Sequence, residues 1–244
     1  MDMLSLSYDL HIHSCLSPCG DDDMTPSNIV GMASLIGLDV IAVTDHNSCK
    51  NCPAVMEAAK NTGITVLPGM ELCTSEEVHV LCLFETLEAA MNFDNYVDAH
   101  LIPMPNNEEI FGHQYIYDSN DRIIGNYKNL LINATDISFD NVYELTASYQ
   151  GIMIPAHIDK DSTSLLSNLG FIPPDSRFTC AEVKNIERLG GLQKVHPYLN
   201  HCRIITNSDA HYLEHIHEAI YRIHTPSREA KDIIKSLISL QAGS

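Results

Sequence analysis

Short runs of apolar residues, rich in valine and isoleucine, alternate along the chain with longer stretches of mixed polarity. Uninterrupted apolar runs of this length are typical of strands that are buried on both faces of a sheet. The pattern predicts these strands: Leu6–His13, Asp39–His46, Ile64–Leu72, Val78–Phe84, Gly151–Ile158, Phe178–Asn185, Cys202–Asp209 and Ala219–His224.

The stretches between the strands carry helix signals. In TPSNIVGMASLIGL, Thr25 suits the N-cap, Pro26 suits the first turn and Gly37 can end the helix. Pro53–Lys60 continues the alternation, and Ser227–Leu240 is predicted to be an amphipathic closing helix. Alternating strands and helices favour an α/β fold with a parallel sheet, and so many buried strands in one chain favour a TIM-like barrel.

One segment, residues 85–150, breaks this rhythm. It is richer in asparagine, aspartate and tyrosine, and QYIYDSNDRIIGNY predicts a hairpin with Ser119, Asn120 and Asp121 at its turn. We interpret it as a small insertion, a possible cap, within a single domain that spans residues 1–244.

The bulk composition is that of an ordinary globular domain, with 45% apolar and 19% charged residues in 244. A membrane span needs about 18 consecutive apolar residues, and none is found. The first residues, MDMLSLSYDLHIH, are too short and too polar for a signal peptide, so a cytoplasmic location is expected. A formal net charge of −18 argues against a protein that coats nucleic acid.

Residue types that bind metals fall at the ends of the predicted strands. In a parallel barrel all carboxyl strand ends open on one face, so residues far apart in sequence would meet there. Most of the following residues end a predicted strand, whereas His79 begins one: Asp9, His11, His13, Asp45, His46, Glu71, His79, His157, Asp209 and His211.

The spacing of His11 and His13 has a direct structural meaning. Alternate residues of a strand point to the same side, so both imidazoles can reach one metal ion, and Asp209 and His211 repeat this spacing. Taken alone, each residue has an ordinary explanation, such as a strand-end cap or a hydrogen-bonded core histidine. The other histidines are expected to be structural or at the surface: His100, His113, His196, His201, His215, His217 and His224.

The eight cysteines are expected to be reduced thiols, since they are scattered through a chain without an export signal. Cys15, Cys19, Cys49 and Cys52 have the spacing of a zinc ribbon, which would make the chain a binding protein. Both pairs, however, lie inside the pattern of strand ends described above.

The segments DLHIHS, AVTDH, PGMEL, PAHI and NSDAH, in this order, resemble the polymerase-and-histidinol-phosphatase (PHP) family of phosphoesterases. The resemblance covers about residues 8–84 and 151–211. It implies a distorted (β/α)7 TIM-like barrel with two or three divalent ions, which would be zinc, manganese or iron.

The same resemblance implies which residues bind each ion. His11, His13, Glu71 and Asp209 match the first site, whereas His79 and His157 share Glu71 in the second. For the third site His46 and His211 match, but the expected aspartate or histidine is replaced by Pro18-Cys19 and followed by Asp21-Asp22-Asp23. Cys19 or one of those aspartates is therefore the candidate for the last ligand.

The implied reaction is hydrolysis of a phosphate ester. We expect a water between two ions to lose its proton near neutral pH and to attack phosphorus as hydroxide. Asp45 or His211 would protonate the leaving oxygen, and Lys160 would hold the phosphate, with Lys184 and Arg188 as further candidates.

The favoured substrate is a small phosphomonoester or nucleotide, such as a nucleoside 3′,5′-bisphosphate or an oligonucleotide end. Histidinol phosphate is the alternative substrate. A non-catalytic PHP module is a third interpretation, against which the intact set of ligands argues. The sequence does not indicate an oligomeric state.

Overall fold

The structure, a computed structural model, describes residues 3–239 of the chain. Within these residues the strands are β1 (Leu4–Ile12), β2 (Val40–Val43), β3 (Thr65–Cys73), β4 (His79–Phe84), β5 (Tyr115–Tyr117), β6 (Ile123–Asn126), β7 (Gly151–Pro155), β8 (Cys180–Glu182), β9 (Arg203–Ile205) and β10 (Arg222–Thr225). All the predicted strands are found, although most are shorter than predicted.

The α-helices of the described residues are α1 (Pro26–Ile36), α2 (Cys52–Ala58), α3 (Leu87–His100), α4 (Glu108–Phe111), α5 (Phe139–Ser148), α6 (Leu165–Asn168), α7 (Leu189–Val195) and α8 (Ala230–Ile238). The predicted caps of α1 are confirmed. The side chain of Thr25 accepts a hydrogen bond from the backbone N–H of Asn28, and Gly37 ends the helix with a φ of 85°. The predicted end of the closing helix, Leu240, lies outside the described residues.

The main sheet has six strands in the order β10-β1-β2-β3-β4-β7 and curls into half a barrel. β1, β2 and β3 run parallel, whereas β4 is antiparallel to both β3 and β7, and β10 is antiparallel to β1. β8 and β9 form a separate parallel pair. The α/β fold is confirmed, but a closed (β/α)7 barrel is not shown.

Two links bring the separate pair to the main sheet at the edge where β1 ends. A parallel bridge joins Ile12 to Ala210, and the N–H of Ile158 donates to the carbonyl of Glu182 over 2.9 Å. The segments that follow β7 and β9 therefore lie beside the end of β1.

The reversal of β4 explains why His79 begins a strand. Because β4 is antiparallel to β3, its first residue pairs with Cys73, the last residue of β3. The start of β4 therefore lies at the same edge as the carboxyl ends of the parallel strands.

The segment 85–150 contains two kinds of structure. Its outer parts form α3 and α5, whose residues Phe93 and Val142 belong to a buried core with residues of β4 and β7. Its middle part, residues 101–137, contains α4 and the β5–β6 hairpin with the predicted turn. We call residues 101–137 the excursion.

Candidate metal centre

The predicted metal ligands lie together at one edge of the sheet, and most are buried. His11 belongs to β1, Glu71 belongs to β3, and His79 begins β4. The relative exposure of these three residues is 8% or less. The other ligands follow the carboxyl ends of strands: His13, His46, His157, Asp209 and His211.

The first group consists of His11, His13, Glu71 and Asp209. The Nε2 atoms of the two histidines lie 3.2 Å apart, and Oδ1 of Asp209 lies 3.5 Å and 3.4 Å from them. Oε1 of Glu71 lies 3.3 Å from His11, and Oε2 lies 3.4 Å from His13. A tetrahedral ion with bonds of about 2.1 Å separates its ligands by about 3.4 Å. The four side chains are therefore spaced like the ligands of one ion.

Hydrogen bonds behind the two imidazoles define which nitrogen carries the proton. Nδ1 of His11 lies 3.1 Å from the Glu182 carboxylate, which can only accept, so this nitrogen is protonated. Nδ1 of His13 lies 3.0 Å from Oγ of Ser17, and that hydroxyl donates its proton to Asp45. Ser17 therefore accepts from His13, and in the neutral form of each imidazole Nε2 presents its lone pair to the centre.

This donor set fits a divalent cation. Burial lowers the pKa of His11, but Glu182, Glu71 and Asp209 raise it well above its usual value, so these buried carboxylates favour a positive charge at the centre. A divalent ion can supply that charge in place of the proton, between Nε2 atoms that lie 3.2 Å apart. Neutral imidazole together with carboxylate suits zinc, manganese or iron.

Glu71 lies between the first group and a second one. Its Oε1 is 2.9 Å from Nδ1 of His79 and 3.0 Å from Nε2 of His157. Its Oε2 lies 3.0 Å from Nδ1 of His46, yet both of these buried atoms lack a hydrogen bond. Such unsatisfied buried atoms fit a carboxylate that bridges two ions.

A third group contains His13, His46 and His211, whose ligating atoms lie within 4.8 Å of one another. Nδ1 of His211 donates to the carbonyl of Asp209 over 2.8 Å, which leaves Nε2 free to bind an ion. Cys19 is exposed, and none of the three groups found in residues 3–239 includes a cysteine. Its role as a ligand stays a prediction.

The nearby aspartates face other partners. Asp22 lies 3.1 Å from Nδ1 of His113 in the excursion, and the carboxylate of Asp21 accepts from the backbone of Asp23. The zinc-ribbon interpretation finds no support, because the thiols of Cys49 and Cys52 both donate to the carbonyl of Gly69 within a buried apolar cluster.

The site keeps its carboxylates ionised. Burial raises the pKa of Glu71, but His79, His11 and His46 outweigh this effect and hold it well below its usual value. Burial likewise raises the pKa of Asp209, but the neighbouring imidazoles of His11 and His13 lower it further than burial raises it. Burial and the neighbouring His46 lower the pKa of His13, which favours its neutral, metal-binding form.

Asp45 lies one layer behind the imidazoles. Its Oδ1 accepts hydrogen bonds from the N–H of Ser14 and the hydroxyl of Ser17, both over 2.7 Å, and its Oδ2 accepts from the hydroxyl of Ser14 over 2.6 Å. Oδ1 thus helps to position Ser17, which supports His13, and Oδ2 is engaged by Ser14. The predicted role of Asp45 as the proton donor stays a prediction.

Lys160 is the predicted cation that the structure places at the centre. Its Nζ donates to Oδ2 of Asp209 over 2.8 Å, and 32% of its side chain stays exposed. Lys184 and Arg188 are exposed and lie near Asp159, which accepts from the N–H of Lys184. Lys160 is therefore the best placed of the three to meet an anion.

Sequence reasoning missed Glu182, Ser17 and Asn207. Glu182 is 1% exposed and accepts from His11, from the N–H of His157 over 3.0 Å and from Asn207 over 2.7 Å. Its sequence signal was a lone acid inside the apolar run TCAEV. Ser17 carried no such signal, because a serine after a strand is common in loops.

Two of the predicted ligands, His157 and Asp209, have strained backbones. His157 has a φ of 28° and Asp209 has a φ of 54°, in the left-handed region that non-glycine residues seldom adopt. Strain of this kind persists only where surrounding contacts enforce it, and it is concentrated at functional sites.

A profile of one sequence family, the PHP domain, matches residues 9–169 of the chain. A 5′-3′ exoribonuclease of Haemophilus influenzae is 32% identical over 83 residues, which make up 33% of this chain and 29% of that protein. The chain thus spans less than a third of the length of this curated relative.

In the described part of the chain, no helix has the length and apolarity to cross a membrane.

Two solved structures resemble the whole described fold. The lesion-specific endonuclease EndoQ of Pyrococcus furiosus has a TM-score of 0.68 at 18% identity, and the match covers 98% of this chain and 57% of that one. A candidate metal-dependent phosphoesterase of Bifidobacterium adolescentis has a TM-score of 0.55 at 16% identity, with 98% and 99% covered. At such identities the likeness shows the fold.

Proposed function

Because the chain belongs to the PHP domain family of metal-dependent phosphoesterases, we propose that it hydrolyses a small phosphomonoester or nucleotide. The observation that carries this proposal is the convergence of His11, His13, Glu71 and Asp209 on one point, with the lone pairs of both imidazoles directed at it. A preferred substrate is a nucleoside 3′,5′-bisphosphate or the end of an oligonucleotide.

Two or three divalent ions in these groups would supply an acidified water and neutralise charge on the phosphoryl oxygens. The residues of the chain have separate tasks. Glu182 and Ser17 hold the imidazoles of His11 and His13 in the ligating orientation. Lys160 would bind the phosphate, and His211, whose side chain is 25% exposed, would donate a proton from Nε2 to the leaving oxygen when the third group holds no ion.

A groove of about 710 Å³ adjoins the centre at Lys160 and suits the leaving group. Its apolar wall is formed by Ile158, Leu166 and Leu192, against which a nucleobase can pack. Asp161 and Glu187 line the same groove and can accept hydrogen bonds from ribose hydroxyls. Lys160, which lines the groove and contacts Asp209, would orient the ester toward the predicted metal ligands.

The charge of the groove and of the whole chain supports a compact substrate. Acids outnumber the cations Lys160 and Arg188 in the groove, and the chain carries a net charge of −18, so a long polyanion that lies across the surface is disfavoured. The relatives named as an exoribonuclease and an endonuclease support a nucleotide as the substrate. A mononucleotide or a strand end reconciles both observations.

The test is release of phosphate, or of a mononucleotide from an oligonucleotide end, by protein stripped of metal and then loaded with manganese, zinc or iron. The panel contains a nucleoside 3′,5′-bisphosphate, a 5′-phosphorylated dinucleotide and histidinol phosphate. We expect hydrolysis of the nucleotides only with metal, loss of activity in His11→Ala, and full activity in the matched control His201→Ala, which changes an exposed histidine.

Three outcomes would contradict the proposal. Hydrolysis that persists in chelator would exclude the metal mechanism. A clear preference for histidinol phosphate would replace the substrate. Bound metal with no hydrolysis of any ester would favour the non-catalytic module.

A further inference from the structure

The excursion, residues 101–137, contacts the loops that carry the metal ligands. Its ends are held together by the bridges Leu101–Thr135 and Pro105–Asn129. Leu131 and Leu101 pack against Leu16, which lies in the loop after β1.

One contact runs through Asn51, which is fully buried. The N–H of Tyr117 donates to Oδ1 of Asn51 over 2.9 Å, and Nδ2 of Asn51 donates to the carbonyl of Tyr115 over 3.1 Å. The same Nδ2 donates to Oγ of Ser14 over 2.9 Å. Asn51 therefore joins the β5–β6 hairpin to the loop after β1.

From Ser14 the hydrogen bonds continue to a metal ligand. The hydroxyl of Ser14 donates to Asp45 over 2.6 Å, and Asp45 accepts from Ser17 over 2.7 Å. Ser17 then accepts from Nδ1 of His13 over 3.0 Å. Each residue in this series of hydrogen bonds is 2% exposed or less, so water does not compete for the hydrogen bonds.

A second contact runs through Asn47, the residue after His46. Its Nδ2 donates to the carbonyls of Leu131 and Asn133 over 2.7 Å and 2.8 Å, and its Oδ1 accepts from the N–H of Cys73 over 2.8 Å. Its backbone N–H donates to the carbonyl of Glu71 over 2.9 Å. Its φ of 48° is a left-handed conformation that asparagine tolerates better than most residues.

We propose that the excursion is a positioning element of the metal centre, which acts on His13 through Asn51 and on His46 and Glu71 through Asn47. This inference depends on the proposed metal centre but not on the substrate. Support for ligating histidines from a second layer of hydrogen bonds typically changes metal affinity by about 10- to 100-fold.

Metal affinity, measured by competition with a chromophoric chelator, tests this proposal without any assay of hydrolysis. Asn51→Ala removes the link to Ser14 and the hairpin, whereas Asn47→Gly removes the amide but keeps a residue that accepts a positive φ. We expect each variant to bind zinc or manganese at least about tenfold more weakly. The matched control is Asn133→Ala, which loses a hydrogen bond to Ile102 inside the excursion but keeps the carbonyl that Asn47 contacts.

A second measurement uses the reciprocity of coupled equilibria. If the excursion positions the ligands, metal binding must in turn protect the excursion, so the amides of Tyr117 and Leu131 should exchange more slowly in metal-loaded wild-type protein. That protection should be lost at Tyr117 in Asn51→Ala and kept in Asn133→Ala.

The two proposals fail in distinguishable ways. Wild-type protein that binds no metal would overturn both. The positioning role alone would be overturned by another result. In that result the wild-type protein binds metal, and the folded variants Asn51→Ala and Asn47→Gly bind it within twofold of the wild-type affinity. Should Asn51→Ala not fold, Asn47→Gly and the exchange of wild-type amides decide the matter.

Discussion

The carboxylate of Glu182 lies 3.1 Å from Nδ1 of His11, on the opposite side of the imidazole from the Nε2 that faces His13. This contact holds the proton on Nδ1 and leaves the lone pair of Nε2 for an ion. Burial raises the pKa of Glu182, but His11 lowers it further, so the carboxylate stays charged.

Replacing this carboxylate by an amide should weaken metal binding. His11, Asn207 and the N–H of His157 all donate hydrogen bonds to the carboxylate of Glu182. In Glu182→Gln the NH₂ group of the new amide must face at least one of these donors, and two donors cannot form a hydrogen bond. We expect a loss of about 10- to 100-fold in affinity for zinc or manganese, measured by chelator competition. Glu187→Gln, at an exposed position, is the control, and equal affinities in both variants would show that Glu182 does not orient His11.

Lys160 should act on the substrate rather than on the metal. The variant Lys160→Met keeps much of the side-chain length but loses the charge that lies 2.8 Å from Asp209. We expect kcat/KM for a nucleotide to fall by about 10- to 100-fold, with metal content unchanged. Lys184→Met, which removes an exposed charge nearby, should stay within about twofold, and equal losses in the two variants would point to a general effect of charge.

The pH dependence of the metal-free protein should reveal His79. Burial lowers the pKa of His79, but Glu71 at 2.9 Å raises it to about 10. Its contribution to stability is therefore complete below the usual pKa of 6.5 and is lost as the pH rises toward 10. Urea unfolding in chelator should show lower stability at about pH 9 than at about pH 6.5, with a smaller difference in His79→Gln.

Metal binding should have the opposite pH dependence. An ion on Nδ1 of His79 replaces the proton there, so binding releases protons and should tighten as the pH rises over the same range. An affinity for zinc that does not change with pH would show that no ligand loses a proton on binding.

Two glycines should respond in opposite ways to alanine. A Cβ at Gly20 would lie 2.4 Å from the backbone oxygen of Ser14, whereas a Cβ at Gly31 in α1 would meet nothing within 4 Å. Gly20→Ala should destabilise the protein by more than about 2 kcal/mol, and Gly31→Ala should stabilise it by about 0.5–1 kcal/mol. Thermal unfolding measures both, and equal effects would contradict the close packing of the loop after β1.

The sequence predicted which side chains gather at this edge of the sheet better than it predicted the groups that support them. His11, His13 and Asp209 were predictable because alternating residues at strand ends share a face, and the structure brings them together. Ser17 and Asn51 were not, because their roles depend on distant partners such as Asp45 and the excursion. Hydrophobic patterning likewise locates a strand without giving its direction, so the reversal of β4 was not foreseen.

Diffraction from crystals grown with manganese or zinc, recorded on both sides of the absorption edge of the metal, tests the central claim most directly. We predict one anomalous peak within about 2.0–2.3 Å of ligating atoms of His11, His13, Glu71 and Asp209, and a second peak shared by Glu71, His79 and His157. A map without peaks at these side chains, or with peaks only at surface residues, would contradict the account.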